Sequence, residues 1–294
     1  MGGSNGSPVW ETVGPMTINI NVVRGETAEE EKLNIHAVYE KLASEYDDRI
    51  PGSGPSDDNF TAAERDFLLS KVTPGQDVLD IGCGTGRFTV PMAELGAIVS
   101  GLDMSGSMLR VAASKLKAKG LSADLREGDM VSMPFDDDSF DIVTSMLALM
   151  HIPLEDRQQV FQEASRVLRP GGRLLISVKN SVIERFFRAD RFAAVDITDV
   201  DTKKLKFTET NDGQDLEASW YSFSPSDISA LCAASGLVVT QLRGNSPVSA
   251  WLADEILADP VVSAFVGRFE SALSDVPPFN HLGYHIMVEA VKLP

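Results

Sequence analysis

The sequence predicts an α/β fold in which a mostly parallel sheet carries helices on both faces. Between residues 76 and 180, short apolar runs alternate with stretches of helical periodicity. The runs read QDVLDI, AIVSGLD, ADLREGD, FDIVTSML and RLLISVKN. Strands joined by single helices imply right-handed crossovers, and such crossovers make neighbouring strands parallel.

A glycine-rich turn in VLDIGCGTGRF is the most informative stretch of the chain. An apolar run ends at Asp80, and three glycines follow at alternate positions before a helical pattern begins. Glycine lets the backbone turn sharply and approach a ligand closely. Because Asp103 ends the next apolar run, these parts together predict a nucleoside-binding unit of strand, turn, helix and strand.

Composition and charge narrow the class of protein. The 294 residues include 26 Lys and Arg against 43 Asp and Glu, a formal net charge of -17. Nucleic-acid binders usually present a basic surface, so no nucleic-acid partner is expected. Cys83 lies in the glycine turn and Cys232 in an amphipathic stretch, and their placement suggests neither a disulfide nor a metal site.

No targeting signal or membrane segment is expected. No apolar run reaches the ~18 residues of a membrane span. The first residues lack a basic region followed by an apolar core, so they do not resemble a signal peptide. A cytoplasmic location without membrane attachment is the default expectation.

The chain is predicted to divide into five segments. They are a flexible N-terminus (1–25), N-terminal lid helices (26–72), a binding core (73–180), a cap insertion (181–223) and the C-terminal part of the core (224–294) with a helical insertion at 247–280. Within the lid, apolar spacing predicts a helix over 27–47, a loop over 50–59 and a second helix beginning at Thr61.

Several motifs occur in the order typical of one family. They are DIGCGTG, GLDMS, EGDMVSMPFDDDSFDIV and EASRVLRPGGRLLIS. With them the chain resembles a class I S-adenosylmethionine-dependent methyltransferase of the small-molecule group (methyltransferase type 11/25-like). The resemblance implies a Rossmann-like seven-stranded sheet of order 3-2-1-4-5-7-6, with the last strand antiparallel, and a mainly helical lid. It also implies S-adenosylmethionine as the cofactor.

The same resemblance implies a set of cofactor contacts. Asp103 would bind the ribose hydroxyls, Asp80 would help to place the amino-acid head, and Asp129 would accept from the adenine amino group. The tyrosines of the first helix would fold over the cofactor. The implied residues are Tyr39, Tyr46, Asp80, Gly82, Cys83, Gly84, Asp103, Met104, Asp129, Met130 and Met146.

The acceptor side of the site is less defined by the sequence. His151, just past the fourth strand, is the best candidate for a general base, with a packing or capping role as the alternative. Trp220 and Tyr221 are candidates to line an acceptor pocket, or else a small cap core. His281 and His285 are four residues apart but have no third ligand, so no metal is expected.

The expected activity is methyl transfer by in-line displacement to a small, partly apolar metabolite, such as a natural-product intermediate, by a monomer or homodimer. One alternative is a nicotinamide-dependent oxidoreductase. Its fingerprint G-x-G-x-x-G would need glycine where this chain has Arg87. The other is a non-catalytic S-adenosylmethionine-binding protein on the same fold.

Overall fold

A computed structural model describes residues 27–49, 55–186, 195–199, 204–211, 214–252 and 254–294. The strands in this part of the chain are β1 (Asp77–Ile81), β2 (Ile98–Asp103), β3 (Asp124–Glu127), β4 (Phe140–Met146), β5 (Leu168–Lys179), β6 (Val195–Asp199), β7 (Lys204–Asn211), β8 (Gln214–Tyr221), β9 (Leu237–Asn245) and β10 (His285–Lys292). Seven of them form one sheet of order β3-β2-β1-β4-β5-β10-β9. The first five pair in parallel, and β10 runs antiparallel to both β5 and β9. The predicted fold class and strand order are therefore confirmed.

Helices cover both faces of this sheet and bury its apolar strands. They are α1 (Ala28–Leu42), α2 (Tyr46–Arg49), α3 (Pro55–Leu69), α4 (Thr89–Glu94), α5 (Gly106–Ala118), α6 (Arg157–Val167), α7 (Ser181–Phe186), α8 (Pro225–Ala234), α9 (Asp254–Leu257) and α10 (Pro260–Leu273). One core cluster joins Leu79 and Ile176 to Phe161 of α6, and another joins Val78 and Leu175 to Leu68 of α3. Burying each such side chain stabilises the fold by roughly 1.5–3 kcal/mol. Alternate residues of one strand thus anchor helices on opposite faces.

The N-terminal helices differ in detail from the prediction. Thr27 caps α1 in a capping box with Glu30, as expected for Thr followed three residues later by Glu. Leu33 is 58% exposed, whereas Ile35 and Val38 are buried, so not every apolar residue of α1 faces inward. The predicted loop over 50–59 is wrong in its second half. Helix α3 begins there, with proline at its first position, where the missing N–H has no partner to lose.

The C-terminal part contains a second, smaller sheet. Strands β6, β7 and β8 form a separate antiparallel sheet where the sequence indicated only an insertion without periodicity. Within the helical insertion at 247–280, the Asp259 side chain caps α10, which begins at Pro260. The stretch RPGG, typical of a turn in sequence, lies inside β5, whose pairing with β4 shifts between Phe140 and Ile142. Residues 1–25 lie outside the described part, so their predicted flexibility stays a prediction.

No helix in the described part of the chain is both long enough and apolar enough to cross a bilayer.

Candidate functional site

A cavity lies at the edge of the sheet where the parallel strands end, beneath α1 and α2. Its empty volume is about 740 Å³, including open solvent at its mouth, which is within the ~300–1,000 Å³ typical of small-molecule sites. Its walls come from the lid helices and from the chain following β1, β2, β3 and β4. They are lined by Lys32, Ile35, His36, Tyr39, Tyr46, Gly82, Gly84, Asp103, Met104, Ser105, Met108, Met130, Met146, Leu147, Ala148, His151 and Ile152.

The glycine turn after β1 forms the floor of this cavity. Gly82 has φ +70°, a conformation that residues with a Cβ rarely adopt. A Cβ there would lie 2.2 Å from the Ala148 Cβ, so glycine is required for the turn to pass the end of β4. Gly84 has φ +53°, and a Cβ there would meet no protein atom within 4 Å. The turn therefore presents open backbone to the cavity.

Asp103 stands beside this turn at the end of β2. Its Oδ2 accepts from the Gly84 N–H at 2.8 Å and its Oδ1 from the Ser105 N–H at 2.9 Å. Burial raises the pKa of Asp103, while these two backbone hydrogen bonds oppose the rise. Met104, the next residue, also lines the cavity. An acceptor side chain held by its neighbours is well placed to bind paired hydroxyl groups.

Asp80 and Cys83 are buried beside the cavity and are not among its lining residues. The Thr89 hydroxyl donates to Asp80 Oδ2 at 2.6 Å. Burial raises the pKa of Asp80 to about 7, and the Asp103 charge adds to that rise. Cys83 is turned towards β2, since its Sγ would lie 2.9 Å from a Cβ on Gly101. Burial raises the pKa of the Cys83 thiol, so this thiol is protonated at neutral pH.

A bridge of opposite charges holds α1 over the cavity. Lys32 Nζ lies 2.9 Å from Asp129 Oδ2 and 2.6 Å from Asp156 Oδ2, and the Lys32 side chain is only 11% exposed. Burial works against the charge on Lys32, but the bonds to Asp156 and Asp129 outweigh it and raise the pKa of Lys32. Asp129 is therefore not a lining residue itself, but it binds Lys32, which lines the cavity. Met130 lines the cavity directly.

A second contact ties α1 to the N-terminus of α5. Glu40 Oε1 accepts from the Ser107 N–H at 2.9 Å and from the Ser105 hydroxyl at 2.8 Å. Burial would raise the pKa of Glu40, but the hydrogen bonds from Ser107 and Ser105 lower it to about 2. The carboxylate therefore stays ionised at the positive end of a helix, which stabilises this position of α1 against α5.

Tyr39 of α1 reaches His151 across the cavity. The Tyr39 hydroxyl lies 2.7 Å from His151 Nε2, and His151 Nδ1 lies 3.3 Å from the carbonyl oxygen of Ser219 in β8. A carbonyl only accepts, so Nδ1 carries the proton and Nε2 accepts from Tyr39. Burial, with a smaller contribution from the charge of Lys179, lowers the pKa of His151 to about 4. At neutral pH the imidazole is neutral, and its Nε2 lone pair accepts from the Tyr39 hydroxyl in the cavity wall.

Tyr46, the second tyrosine of the lid, packs edge-to-face against Tyr39 with ring centroids 5.9 Å apart. Burial raises the pKa of Tyr46 to about 12. Both rings line the cavity. Met146, at the end of β4, also lines it. The cavity wall thus brings these three residues together with His151, and their roles stay predictions.

The two aromatic residues predicted for an acceptor pocket lie outside the lining set. Tyr221 is buried, and its hydroxyl donates to Glu31 Oε2 of α1 at 2.6 Å. The guanidinium of Arg157 lies over the Tyr221 ring at 4.9 Å. Tyr221 thereby fastens the lid to β8. Trp220 points the other way, with the ammonium of Lys179 lying 5.3 Å from its ring centroid.

His281 and His285, the two histidines considered for a metal site, lie in different local environments. His285 Nδ1 lies 2.7 Å from Glu64 Oε1, which also accepts from the Ser177 hydroxyl at 2.7 Å. Burial lowers the pKa of His285, while the charge of Glu64 and the hydrogen bond to it oppose that change. His281 lies in a short turn before β10. Within the described ranges, no three His, Cys, Asp or Glu side chains are placed to hold a metal ion.

Sequence reasoning missed several residues of the wall, above all Lys32 and His36 on α1. The sequence could have indicated them, because one helix face at the spacing i, i+3, i+4, i+7 contains Lys32, Ile35, His36 and Tyr39. Leu147 and Ala148 were also missed. Leu147 has φ +62°, an unusual value for a leucine, and sequence periodicity carries no sign of it.

Known proteins resemble the chain over this same region. Residues 79–176 match the family model described as a methyltransferase domain. A demethylmenaquinone methyltransferase of Listeria welshimeri is 38% identical over 153 residues, which cover 51% of this chain and 62% of that protein. One from Bacillus cytotoxicus is 35% identical over 146 residues, covering 48% and 60%. The matched part thus spans less than two thirds of these relatives.

A solved structure extends the likeness of the fold. Haemonchus contortus phosphoethanolamine N-methyltransferase 1, solved with phosphoethanolamine and S-adenosylhomocysteine, superposes with a TM-score of 0.60 at 19% identity, covering 92% of this chain and 50% of that one. At that identity the likeness concerns the fold alone. The family match over residues 79–176, the strand order and the lined cavity agree with the resemblance to a class I S-adenosylmethionine-dependent methyltransferase domain and with S-adenosylmethionine as its cofactor.

Proposed function

We propose that the chain catalyses transfer of a methyl group from S-adenosylmethionine to a small-molecule acceptor. The observation that carries this proposal is the cavity itself, whose wall contains the glycine turn with Asp103 and also the Tyr39–His151 pair. The first part suits a nucleoside, and the second part offers a proton acceptor. A site that only stored the cofactor would have no use for the second part.

The residues present fit the cofactor. Asp103 offers carboxylate oxygens to the ribose hydroxyls, and charge-assisted bonds of this kind contribute roughly 1.5–3 kcal/mol each. Met104 and Met130 supply polarisable side chains for the adenine faces. The open space above Gly84 admits a ligand against the backbone. Asp80 lies behind the turn, where it would attract the ammonium of the amino-acid head.

The lid would exclude water and align the acceptor. When bound, S-adenosylmethionine supplies a methyl group on a sulfonium sulfur, and the acceptor's nucleophile takes that methyl while the bonding electrons stay on sulfur. Alignment and exclusion of water are then the main tasks of the protein. Lys32 and Glu40 hold α1 down for this purpose through bonds to the core.

His151 and Tyr39 would take the acceptor's proton. The Tyr39 hydroxyl donates to Nε2 of His151, so a proton leaving the acceptor can pass to Tyr39 as the Tyr39 proton moves to His151. Ser219 holds the opposite nitrogen and keeps the imidazole in the required tautomer. With a pKa near 4, His151 is a weak base. The transfer would therefore need an acceptor whose negative charge is stabilised elsewhere in the site.

The acceptor is proposed to be a small, partly apolar molecule. Support comes from the relatives, which are named for demethylmenaquinone, and from the apolar side chains of Ile35, Met146 and Ile152 in the wall. The net charge of -17 disfavours a nucleic acid. A cytoplasmic location is proposed because both cysteines are buried thiols.

Two measurements test the proposal in turn. Calorimetry with S-adenosylhomocysteine should give binding to the full chain, and NAD should give none. Incubation of the protein with methyl-labelled S-adenosylmethionine and a cell extract should then place label in the small-molecule fraction. Asp103→Ala should lower that label at a limiting concentration of S-adenosylmethionine, whereas Lys119→Met, at an exposed lysine paired with Glu94, should not. Binding without any labelled product would favour the non-catalytic alternative and overturn the proposal.

A further inference from the structure

Helix α10 carries an apolar row on its solvent side. Val261 is 78% exposed, Phe265 68% and Phe269 49%. Because they recur at every fourth residue, they lie along one side of the helix. The rings of Phe265 and Phe269 stack, with centroids 6.2 Å apart and planes 9° apart. Single exposed apolar residues are common on protein surfaces, whereas a contiguous row of this kind is typical of an interaction site.

The opposite side of α10 fastens the helix to the rest of the protein. Val266, Glu270 and Ser274 are buried there. Glu270 Oε1 accepts from the Ser249 hydroxyl at 2.8 Å and from the Val248 N–H at 3.0 Å. The apolar row therefore faces solvent on a helix whose attachment does not depend on it.

Charge distinguishes the solvent side of α10 from the rest of the surface. The chain has 43 acidic residues against 26 basic ones, yet the one carboxylate within α10 belongs to the buried Glu270. The other charged residue of the helix is Arg268, which is exposed. Two copies of a protein with a net charge of -17 repel each other over most of their surfaces, so they approach best where acids are absent. The same net charge disfavours an anionic membrane surface.

The two ends of α10 are complementary in charge, which favours an antiparallel pair. Asp259 caps the first turn, and Arg268 lies in the third turn. When two copies of α10 run antiparallel with Val261 of each opposite Phe265 of the other, Arg268 of each copy lies beside Asp259 of the other. A two-fold axis makes every such contact twice, as in other interfaces between identical subunits.

We infer that the solvent side of α10, formed by Val261, Phe265, Arg268 and Phe269, is the contact surface of a homodimer in which two copies of this helix pair antiparallel. The inference goes beyond the proposed methyl transfer and does not depend on it, because none of these four residues lines the cavity. The 14 residues of α10 span about 20 Å. A single helix pair of that length buries less than the roughly 800 Å² per partner of a standard interface, so the dimer should be weak.

Sedimentation equilibrium of the full chain tests the inference. Samples from about 1 to 300 μM should follow a monomer–dimer equilibrium with a Kd of about 10–100 μM, as expected for a small interface. Phe265→Glu should raise that Kd at least about 10-fold, because it places two unpaired carboxylates in the centre of the pair. Leu33→Glu is the matched control, since Leu33 is also an exposed apolar residue of a helix, and it should leave the Kd unchanged.

Two charge variants test the antiparallel arrangement. Arg268→Gln removes the cation, and Asp259→Asn removes the carboxylate while keeping a residue that caps helices well. Each should raise the Kd about 3-fold, and the double variant should raise it no further, because both changes remove the same contact. Effects of the two variants that add in full would refute the antiparallel pairing.

Two other outcomes would overturn the inference altogether. One is a chain that stays monomeric up to about 300 μM, and the other is a dimer that Phe265→Glu leaves intact. Flotation with vesicles of neutral phosphatidylcholine tests a lipid surface as the occupant. Vesicle binding that Phe265→Glu abolishes, found with a monomer in solution, would assign the face to a membrane surface in place of a second copy.

Discussion

Cofactor binding should depend on pH through Asp80. Its carboxyl is 2% exposed and has a pKa of about 7, raised by burial and by the charge of Asp103. We expect the ammonium of the bound amino-acid head to favour the ionised carboxylate. Binding must then remove a proton from the fraction of molecules in which Asp80 is protonated, so affinity should fall as pH falls below 7.

The size of this effect follows from the fraction ionised. With a pKa of about 7, roughly 90% of Asp80 is ionised at pH 8 and roughly 10% at pH 6. The Kd of S-adenosylhomocysteine should therefore rise about 10-fold from pH 8 to pH 6. Calorimetry in two buffers of different ionisation enthalpy should show release of about half a proton at pH 7.

A matched variant isolates the group responsible. Asp80→Asn keeps the shape and still accepts from Thr89, but it does not titrate. Its Kd should be weaker at pH 8 and nearly constant between pH 6 and pH 8. The reasoning is refuted if wild type is also constant over that range, or if Asp80→Asn keeps the same slope.

Three further predictions concern the cavity wall. Asp103→Ala should weaken S-adenosylhomocysteine binding by about 10-fold or more, measured by calorimetry, because the ribose bonds and the two backbone bonds are lost together; unchanged affinity would contradict the assignment. His151→Ala should lower kcat by about 10²-fold with little change in cofactor Kd, and Tyr39→Phe should show a smaller loss of the same kind; near-normal kcat in both would return His151 to a packing role. Lys32→Met should speed dissociation of S-adenosylhomocysteine by about 10-fold in stopped flow, since the lid loses its bridge to Asp129 and Asp156; an unchanged rate would show that the bridge does not hold the lid.

The strands of the sheet could be predicted because each one is marked by a sequence pattern of a few neighbouring residues. Each parallel strand is a short apolar run followed by one helix, and the crossover rule then limits the topology. The caps were predictable for the same reason. Ser105 and Ser224 cap α5 and α8 as expected, each by accepting from a backbone N–H three residues on.

The closing of the site was not predictable from local pattern. Lys32 meets Asp129 across 97 residues, and Tyr39 meets His151 across 112. Such pairs follow only from the packing of α1 on the finished core. The exposed side of α1 shows the same limit, because Leu33 is apolar and yet faces solvent.

Residue type alone did not distinguish the two aromatic residues that were predicted to line an acceptor pocket. Trp220 and Tyr221 are neighbours on β8 and were predicted to share one role. On a strand, successive side chains point to opposite faces, and Tyr221 accordingly pins the lid through Glu31 while Trp220 flanks Lys179. Alternation along a strand could have separated the two, had the strand itself been recognised.

A crystal structure with S-adenosylhomocysteine bound tests the central claim most directly. The account predicts the ribose hydroxyls on Asp103, the adenine between Met104 and Met130, and the sulfur facing the Tyr39–His151 pair. A ligand bound elsewhere, or one in this cavity whose sulfur points away from His151, would contradict it.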